Sequence, residues 1–345
     1  MGRTYERIIM VFLSKIPDIT FSKPVFCGIL ANTLLSTVPG ISGAGPTAEK
    51  TLLTPVLDAE LIANGRISSM PLKPNTPSGC PTPASITRAM MELTRVKPIF
   101  INAGLSYPPT VPMLDAGGYA GNDPRQGDAV PNAPDLFMQG ERIGTSLSTC
   151  SDLLVLGECV PGGTTTALCV LRALGCHARV SSSFVNNPVS LKEEICSHAL
   201  KRIADRHVTD PLQILKMTGD PMMPVAAGIS HTYRGNLVLA GGTQMLAVCS
   251  VIKALNSHLP LVVTTAYVRD DASANVPAMA EELGVDIIYI DPGFGDLGHS
   301  GLARYCIGEV KEGMGAGGAM FLAYLMGYTP EEIRKKIFET VHAYS

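Results

Sequence analysis

Three glycine-rich segments of the chain carry residue types that bind phosphate or move protons. The first, residues 156–166, reads LGECVPGGTTT and stands between an apolar run and an amphipathic stretch. Glycines such as Gly162 and Gly163 let the backbone approach a ligand, Thr164 and Thr165 offer hydroxyl donors, and a helix N-terminus directs amides at an anion. The segment predicts a phosphate cradle. The alternative is a capped strand-to-helix turn with Thr164 as the N-cap.

This segment also excludes one class of phosphate-binding protein. Its spacing nearly fits the GxxxxGK[ST] loop of nucleotide hydrolases, but Gly163 occupies the position of the required lysine. An NTPase is therefore not predicted.

Two further turns carry small or hydroxyl-bearing residues after apolar runs. Gly241 and Gly242 form one, and Ser181 and Ser182 belong to the other. Each is weak evidence alone, but three such turns at one sheet edge favour a phosphorylated ligand with a sugar. Lys192 is predicted either to meet the phosphate of that ligand or to meet only water.

The third glycine-rich segment supplies a candidate general base. Glu312 stands directly before the run GMGAGG. A carboxylate held in a tight apolar turn is partly desolvated, which raises its pKa and suits proton abstraction. The alternative is a carboxylate at a helix start beside close glycine packing.

No metal ion and no cofactor are predicted. The seven histidines are isolated, no HExxH motif occurs, and the nine cysteines form no C-x-x-C pair. The cysteines are expected to be free thiols in a reducing compartment. His299, after an apolar run, is either a ligand contact or a structural histidine.

Charge and hydropathy narrow the partners. The chain has 27 basic and 30 acidic residues and no basic run, so nucleic acid is not an expected partner. Gly, Pro or charge interrupts every apolar stretch before about 18 residues, the minimum for a membrane span. Residues 1–6 begin no signal sequence, and a cytoplasmic location is predicted.

The segments that must position these residues repeat a strand, loop and helix pattern. Apolar runs with little alternation predict strands buried on both faces, and helix-like stretches follow at 165–174 and 243–255. This repetition predicts an α/β fold, an open, mostly parallel sheet with helices on both faces in a Rossmann-like, three-layer arrangement. The predicted strands are 97–102 (KPIFIN), 152–157 (DLLVLG), 178–182 (ARVSS), 236–240 (NLVLA), 259–265 (LPLVVTT) and 285–291 (VDIIYID).

The same pattern predicts the domain limits. Residues 1–94 are expected to form a smaller helical, loop-rich region that packs beside the sheet or against a partner subunit. Residues 95–330 would form the catalytic α/β domain, and 331–345 a C-terminal helix. In open parallel sheets ligands bind beyond the carboxyl ends of the strands, where the glycine-rich segments of this chain lie.

Together the three segments resemble the nicotinate-nucleotide:dimethylbenzimidazole phosphoribosyltransferase family over roughly residues 95–325. The run that contains Glu158 and Gly162 resembles its GExGIGNTT phosphate loop, Gly241-Gly242 its later glycine-rich turn, and the run that begins at Glu312 its EGSGA catalytic segment. Val160, Pro161 and Gly163 depart from the loop pattern. They match GE[CS]VPGGTTTA of the archaeal-type branch, as does the segment that contains Thr54 and Asp58.

The resemblance implies a transferase that moves 5-phosphoribosyl from nicotinate mononucleotide to a ring nitrogen of dimethylbenzimidazole. The product, α-ribazole phosphate, serves the nucleotide loop of cobamides. Glu312 would accept the azole proton while the other nitrogen attacks C1′, and Glu158 would orient the ribose or stabilise positive charge at C1′. The residues implied to hold phosphate and ribose are Gly162, Gly163, Thr164, Thr165, Ser181, Ser182, Lys192, Gly241 and Gly242; those implied to hold the base are Asn102, Gly104 and Met314.

Two alternatives stay open. The same transfer could use another lower-ligand base such as adenine or a phenol, or the protein could bind a mononucleotide or azole without turning it over. The family resemblance also implies a homodimer.

Overall fold

The core of the protein is one parallel sheet of seven strands. A computed structural model describes residues 12–45 and 47–344, and the N-terminal residues 1–6 lie outside that range. The strands, in the spatial order β3-β2-β1-β4-β5-β6-β7, pair only in parallel. They are β1 (Pro24–Ala31), β2 (Ile99–Gly104), β3 (Leu114–Asp115), β4 (Leu153–Cys159), β5 (Asn236–Ala240), β6 (Leu261–Thr265) and β7 (Ile287–Ile290).

Helices connect the strands and follow the sheet to the C-terminus. Each of the connections from β4 to β7 contains at least one helix, as parallel strands require. The helices are α1 (Ala48–Asn64), α2 (Pro83–Thr94), α3 (Ala133–Leu147), α4 (Gly163–Ala173), α5 (Val189–Asp205), α6 (Pro211–Thr218), α7 (Met222–Thr232), α8 (Thr243–Ala254), α9 (Ala266–Arg269), α10 (Val276–Leu283), α11 (Ser300–Ala303), α12 (Ala316–Leu325) and α13 (Pro330–His342).

The sheet separates two apolar cores, which confirms the predicted three-layer α/β fold. On one face α3, α4, α7 and α8 pack over side chains such as Ile29 and Leu156. On the other, α1, α2, α12 and α13 pack over Phe26 and Val155. Every residue of β4 is buried, which explains why its sequence LLVLGEC is apolar with little alternation.

Five of the six predicted strands and both predicted helices are confirmed, within a few residues at their ends. The prediction of a strand at 178–182 was wrong. The carbonyls of this segment bond to side chains instead of a neighbouring strand: Ala178 accepts from Arg172, Val180 from Asn187 and Ser181 from Lys192. The Ser182 carbonyl accepts from Lys311 and the Arg179 carbonyl from the amide of Asn275, so all five carbonyls of the segment bond outside a strand ladder.

The pattern also missed β1, which lies in the middle of the sheet between β2 and β4. The domain limits at residues 94 and 330 stay a prediction. In the described part of the chain, we find no helix with the length and apolar composition needed to cross a bilayer.

Candidate active site

A cavity of about 690 Å³ opens at the carboxyl ends of the central strands. Four segments from this edge line it, namely 158–164, 181–184, 242–244 and 310–313. Its other wall comes from α1, from residues 41–45 and from the loop between α1 and α2. Ligands of open parallel sheets bind at this edge, so the cavity is the candidate active site.

The N-terminus of α4 forms one end of the cavity. Gly162 is the N-cap in the left-handed conformation (φ 81°), so the alternative interpretation with Thr164 as the N-cap was wrong because the helix begins at Gly163. The amides of Gly163 and Thr165 donate to carbonyls, whereas the Thr164 amide has no acceptor among the described residues. An unbonded amide at the positive end of the helix dipole is suited to an anion.

The lack of a side chain at Gly163 leaves room for the side chain of Gln244. A Cβ added at this position would lie 2.3 Å from Nε2 of Gln244, the atom that donates to Oε2 of Glu158 at 2.8 Å. A side chain here would push Gln244 away from that carboxyl group.

Glu158 is a buried carboxyl group at the end of β4. Besides Gln244, the amide of Val160 donates to its Oε2 at 3.0 Å. Burial raises the pKa of Glu158 to about 8, and the negative charges of Asp220 and Glu312 add to the effect. Glu158 therefore binds a proton more readily than an exposed glutamate does.

Glu312 lies directly before the glycine-rich turn that leads into α12. Its Oε1 accepts from the amides of Gly313 (3.1 Å) and Gly317 (3.2 Å), and the Thr264 hydroxyl donates to Oε2 at 3.4 Å. Loss of water around the group raises its pKa to about 7, although these donors act in the opposite direction. A carboxyl group that titrates near neutral pH is suited to general base catalysis.

The turn after Glu312 is fastened to the end of β4. The amide of Met314 donates to the carbonyl of Glu158 at 2.8 Å, and the carbonyl of Met314 accepts from Thr87 at 3.0 Å. Gly315 packs against Gly157, where an added Cβ would lie 2.9 Å from the Gly157 Cα. These contacts hold the two glutamates in one cavity.

Two lysines lie beneath the segment 181–184. Lys192 is 1% exposed, and its Nζ donates to the carbonyl of Ser181 (2.7 Å) and the hydroxyl of Thr164 (3.0 Å). Nζ of Lys311 donates to the carbonyls of Ser182 and Phe184. Burial and the charge of Lys311 lower the pKa of Lys192 to about 7.

Asp271 balances part of this charge. Its Oδ2 lies 3.4 Å from Nζ of Lys311 and accepts from the Ser181 hydroxyl at 2.8 Å. Although burial acts in the opposite direction, hydrogen bonds from Ser273 and Ser181 and the charge of Lys311 leave the pKa of Asp271 below its usual value.

The structure brings most of the predicted site residues together and leaves others behind the wall. Thr165 is fully buried, Lys192 reaches the cavity only through Thr164 and Ser181, and Gly241 lies behind Glu158. The predicted residues that line the cavity are Glu158, Gly162, Gly163, Thr164, Ser181, Ser182, Gly242 and Glu312.

The three predicted base-binding residues do not line the cavity. The Asn102 side chain accepts from the amides of Gly104 and Leu105, which closes the turn after β2. Met314 is fully buried. Their role in base binding stays a prediction. His299 is the N-cap of α11, where its Nδ1 accepts from the amide of Leu302, and is a structural histidine in this arrangement.

Sequence reasoning assigned no role to five polar residues that lie in the site or next to it. Lys311 is adjacent to Glu312, and Gln244 follows the Gly241-Gly242 turn, so proximity to a motif was the available signal for both. The other three are distant in sequence from every motif with an assigned role: Asp58, Asp220 and Asp271.

Comparisons with known proteins find relatives that match most of the chain. A UPF0284 protein of Methanosarcina acetivorans is 41% identical over 333 residues, 93% of this chain and 95% of the relative. A UPF0284 protein of Thermococcus onnurineus is 42% identical over 323 residues, 92% of this chain and 96% of the relative. No family model matches the chain.

Two solved structures have the same fold. One is the nicotinate-nucleotide-dimethylbenzimidazole phosphoribosyltransferase from Thermus thermophilus, with a TM-score of 0.59 and 16% identity over 93% of this chain and 83% of the other. The other is CobT from the same organism, with a TM-score of 0.58 and 16% identity over 98% of this chain and 95% of the other. The resemblance found in the sequence is confirmed at the level of the fold.

Proposed function

The chain belongs to the UPF0284 family, and from that premise we propose that it is a phosphoribosyltransferase. It moves 5-phosphoribosyl from nicotinate mononucleotide to a ring nitrogen of a benzimidazole-type base. The products are nicotinate and α-ribazole phosphate, which serves the nucleotide loop of cobamides.

One observation carries the proposal: Glu312, a carboxyl group whose pKa is raised to about 7, shares a cavity with a helix N-terminus that has an unbonded amide. A transfer between a mononucleotide and an azole needs a phosphate site, a proton acceptor and a close approach of the two substrates. The fold shared with a solved phosphoribosyltransferase supports the same conclusion.

The phosphate of the donor is assigned to the N-terminus of α4. The Thr164 hydroxyl accepts a hydrogen bond from Lys192, so its own proton is free to point to a phosphate oxygen. The free amide of Thr164 offers a second donor. A bound phosphate would favour the protonated forms of Lys192 and Lys311, whose charge then adds electrostatic attraction through the serine segment 181–184.

The proton of the acceptor is assigned to Glu312. As one azole nitrogen attacks C1′, the carboxylate removes the N–H proton from the other nitrogen, and the C1′–N bond to the pyridinium breaks. The electron pair of that bond neutralises the pyridinium nitrogen, so nicotinate leaves without protonation. Glu158 is assigned a position near C1′. In its ionised form, its carboxylate stabilises the positive charge that develops at C1′.

Replacement of Glu312 with Gln tests this proposal. The amide keeps the size of the side chain but cannot accept the proton, so kcat should fall at least about a hundredfold. Purified protein is incubated with nicotinate mononucleotide and dimethylbenzimidazole, hydroxybenzimidazole, adenine or phenol, and nicotinate and nucleotide products are measured by mass spectrometry. Glu331→Gln, an exposed replacement on α13, is the matched control.

Either outcome is informative. Product formation with wild type and the control, and its loss in Glu312→Gln, supports the transferase. Tight binding of the mononucleotide without transfer to any base contradicts it and favours a protein that binds the mononucleotide without reaction.

A further inference from the structure

Asp58, a third buried carboxyl group of the cavity, has no role in the steps described above. It lies on α1, lines the cavity and is 8% exposed. Its Oδ1 accepts from the Thr82 hydroxyl at 3.3 Å and its Oδ2 from the Cys159 thiol at 3.5 Å. Both contacts are long or weak. Among the described residues, no lysine, arginine or backbone amide bonds to it.

A carboxyl group in this situation lacks strong hydrogen-bond donors. Burial without them is costly, and it raises the pKa of Asp58 to about 7. A helix that packs against the sheet at this point has no structural need for an acid there, since an apolar residue of similar size would avoid the cost. A ligand that supplies an N–H or O–H group would satisfy the carboxyl group.

The location of Asp58 is beside the proposed reaction centre and not at the lysines. Cys159, which contacts it, directly follows Glu158. Thr82, its other contact, precedes Pro83, and a Cβ added at Gly313 would lie 3.2 Å from the Pro83 Cγ. No hydrogen bond or ion pair of the described residues joins Asp58 to Lys192 or Lys311.

The wall formed by α1 and the loop after it carries apolar side chains beside polar ones, and the apolar side chains can pack on the faces of a flat ring with one polar substituent. A ring that packs on such a wall gains binding free energy from burial of its faces, and the Asp58 carboxyl group can then accept a hydrogen bond from a substituent at the ring edge. The apolar residues that α1, the loop after it, α2 and the segment 310–313 contribute to the cavity lining are Leu57, Ile67, Leu72, Pro74, Pro83 and Val310.

We propose that Asp58 selects the acceptor by accepting a hydrogen bond from an N–H or O–H group on the acceptor's six-membered ring. The proposal rests on the proposed transferase function and narrows its substrate class. Acceptors with such a donor, for example hydroxybenzimidazole or adenine, are preferred over dimethylbenzimidazole, whose methyl groups would leave the carboxyl group unsatisfied. Sites built to bond a polar substituent discriminate strongly against analogues that lack it.

The test compares 5-hydroxybenzimidazole with 5-methoxybenzimidazole, which keeps the oxygen and loses the donor. Wild type should favour the hydroxy compound by about tenfold or more in kcat/KM. Asp58→Leu, of similar size and apolar, should bring the two within about threefold and improve dimethylbenzimidazole, with the KM for nicotinate mononucleotide unchanged. Asp58→Asn, which folds with less disturbance, should reduce the preference in the same direction.

Glu49→Gln, an exposed replacement on the same helix, should keep the wild-type preference. Calorimetric binding of both bases is measured in parallel, so Asp58 is tested even if no base is turned over, an outcome that contradicts the transferase alone. Equal wild-type affinity or kcat/KM for the two bases, no binding of either, or an Asp58 effect confined to the KM of the mononucleotide overturns the inference.

Discussion

Glu158 and Glu312 are held by different donors, and this difference suits two roles. Both receive two nitrogen donors on one oxygen, but only Glu312 receives a hydroxyl on the other, from Thr264. Its pKa is raised to about 7, against about 8 for Glu158. The additional hydroxyl donor favours the ionised form of Glu312, which is the form that accepts a proton.

The pH dependence of the reaction should follow from Glu312. Protonation removes the base, so kcat/KM should fall about tenfold per pH unit below pH 7, whereas an ordinary glutamate would keep its activity to near pH 4.5. The Thr264 hydroxyl lowers this pKa, so Thr264→Val should move the acidic limb to higher pH. The measurement is kcat/KM against pH for wild type, Thr264→Val and the exposed Thr145→Val as control. If the acidic limb of the kcat/KM profile lies at the same pH in Thr264→Val as in wild type, the titrating group is not Glu312.

The site residues that could be predicted from sequence are those next to strand ends. The eleven-residue segment 156–166 begins at the end of an apolar run and contains Glu158, Gly162 and Thr164. The positions of the strand before it and the helix after it therefore determine where these residues lie. Asp58 could not be found in this way, because its contact with Cys159 spans 101 positions and depends on how α1 packs. Local patterns do not report such distant contacts.

At the scale of elements, α12 lies unusually close to the sheet because small residues meet there. A Cβ added at Gly318 would lie 2.2 Å from the Cβ of Ala240 and 2.9 Å from the Cγ1 of Val155. Glu312 is only four residues before this helix, so the depth at which α12 packs sets the position of the proposed base.

Gly318→Ala should therefore lower both stability and activity. The added methyl group overpacks the interface, which costs about 1–3 kcal/mol in the free energy of unfolding, and displaces α12. Ala240→Gly removes the nearest atom, so the double variant should recover part of the loss. Denaturant unfolding and kcat are measured for both single variants and the double variant, with Gly127→Ala, which has nothing within 4 Å, as control. Full additivity of the two changes would argue against this contact.

The elements themselves were predicted unevenly, for physical reasons. Strands such as β4 and β5 follow turn residues and are mostly apolar, with a polar residue only near one end, so their pattern is clear. β1 was missed because it stands among loop-rich segments and its sequence PVFCGILA contains Pro and Gly. The wrong strand at 178–182 has an apolar start, but buried lysines and other side chains take its carbonyls.

At the scale of the whole molecule, the cavity joins segments that are far apart in the sequence, from residue 41 to residue 313. Hydroxyls of Thr76 and Ser78 donate to Glu309, which fastens the loop between α1 and α2 beside the segment 310–313. Nζ of Lys336, on α13, lies 2.6 Å from Oε2 of Glu92, on α2. Neither end of the described chain can form the cavity alone.

The position of β1 makes a test of the domain limits possible. A fragment of residues 95–345 would lack the strand that pairs with both β2 and β4, so the sheet would split into β3-β2 and β4-β5-β6-β7 with two new unpaired edges. Exposed apolar edges favour aggregation, and the face that α1 and α2 cover would be open to water. We expect the fragment to be insoluble or to unfold without cooperativity, as measured by circular dichroism and thermal denaturation beside the full chain.

Co-expression with residues 1–94 should restore a soluble complex that binds nicotinate mononucleotide. A fragment that folds cooperatively by itself would instead support a domain boundary at residue 95, and the seven-stranded sheet would then not be the unit of folding.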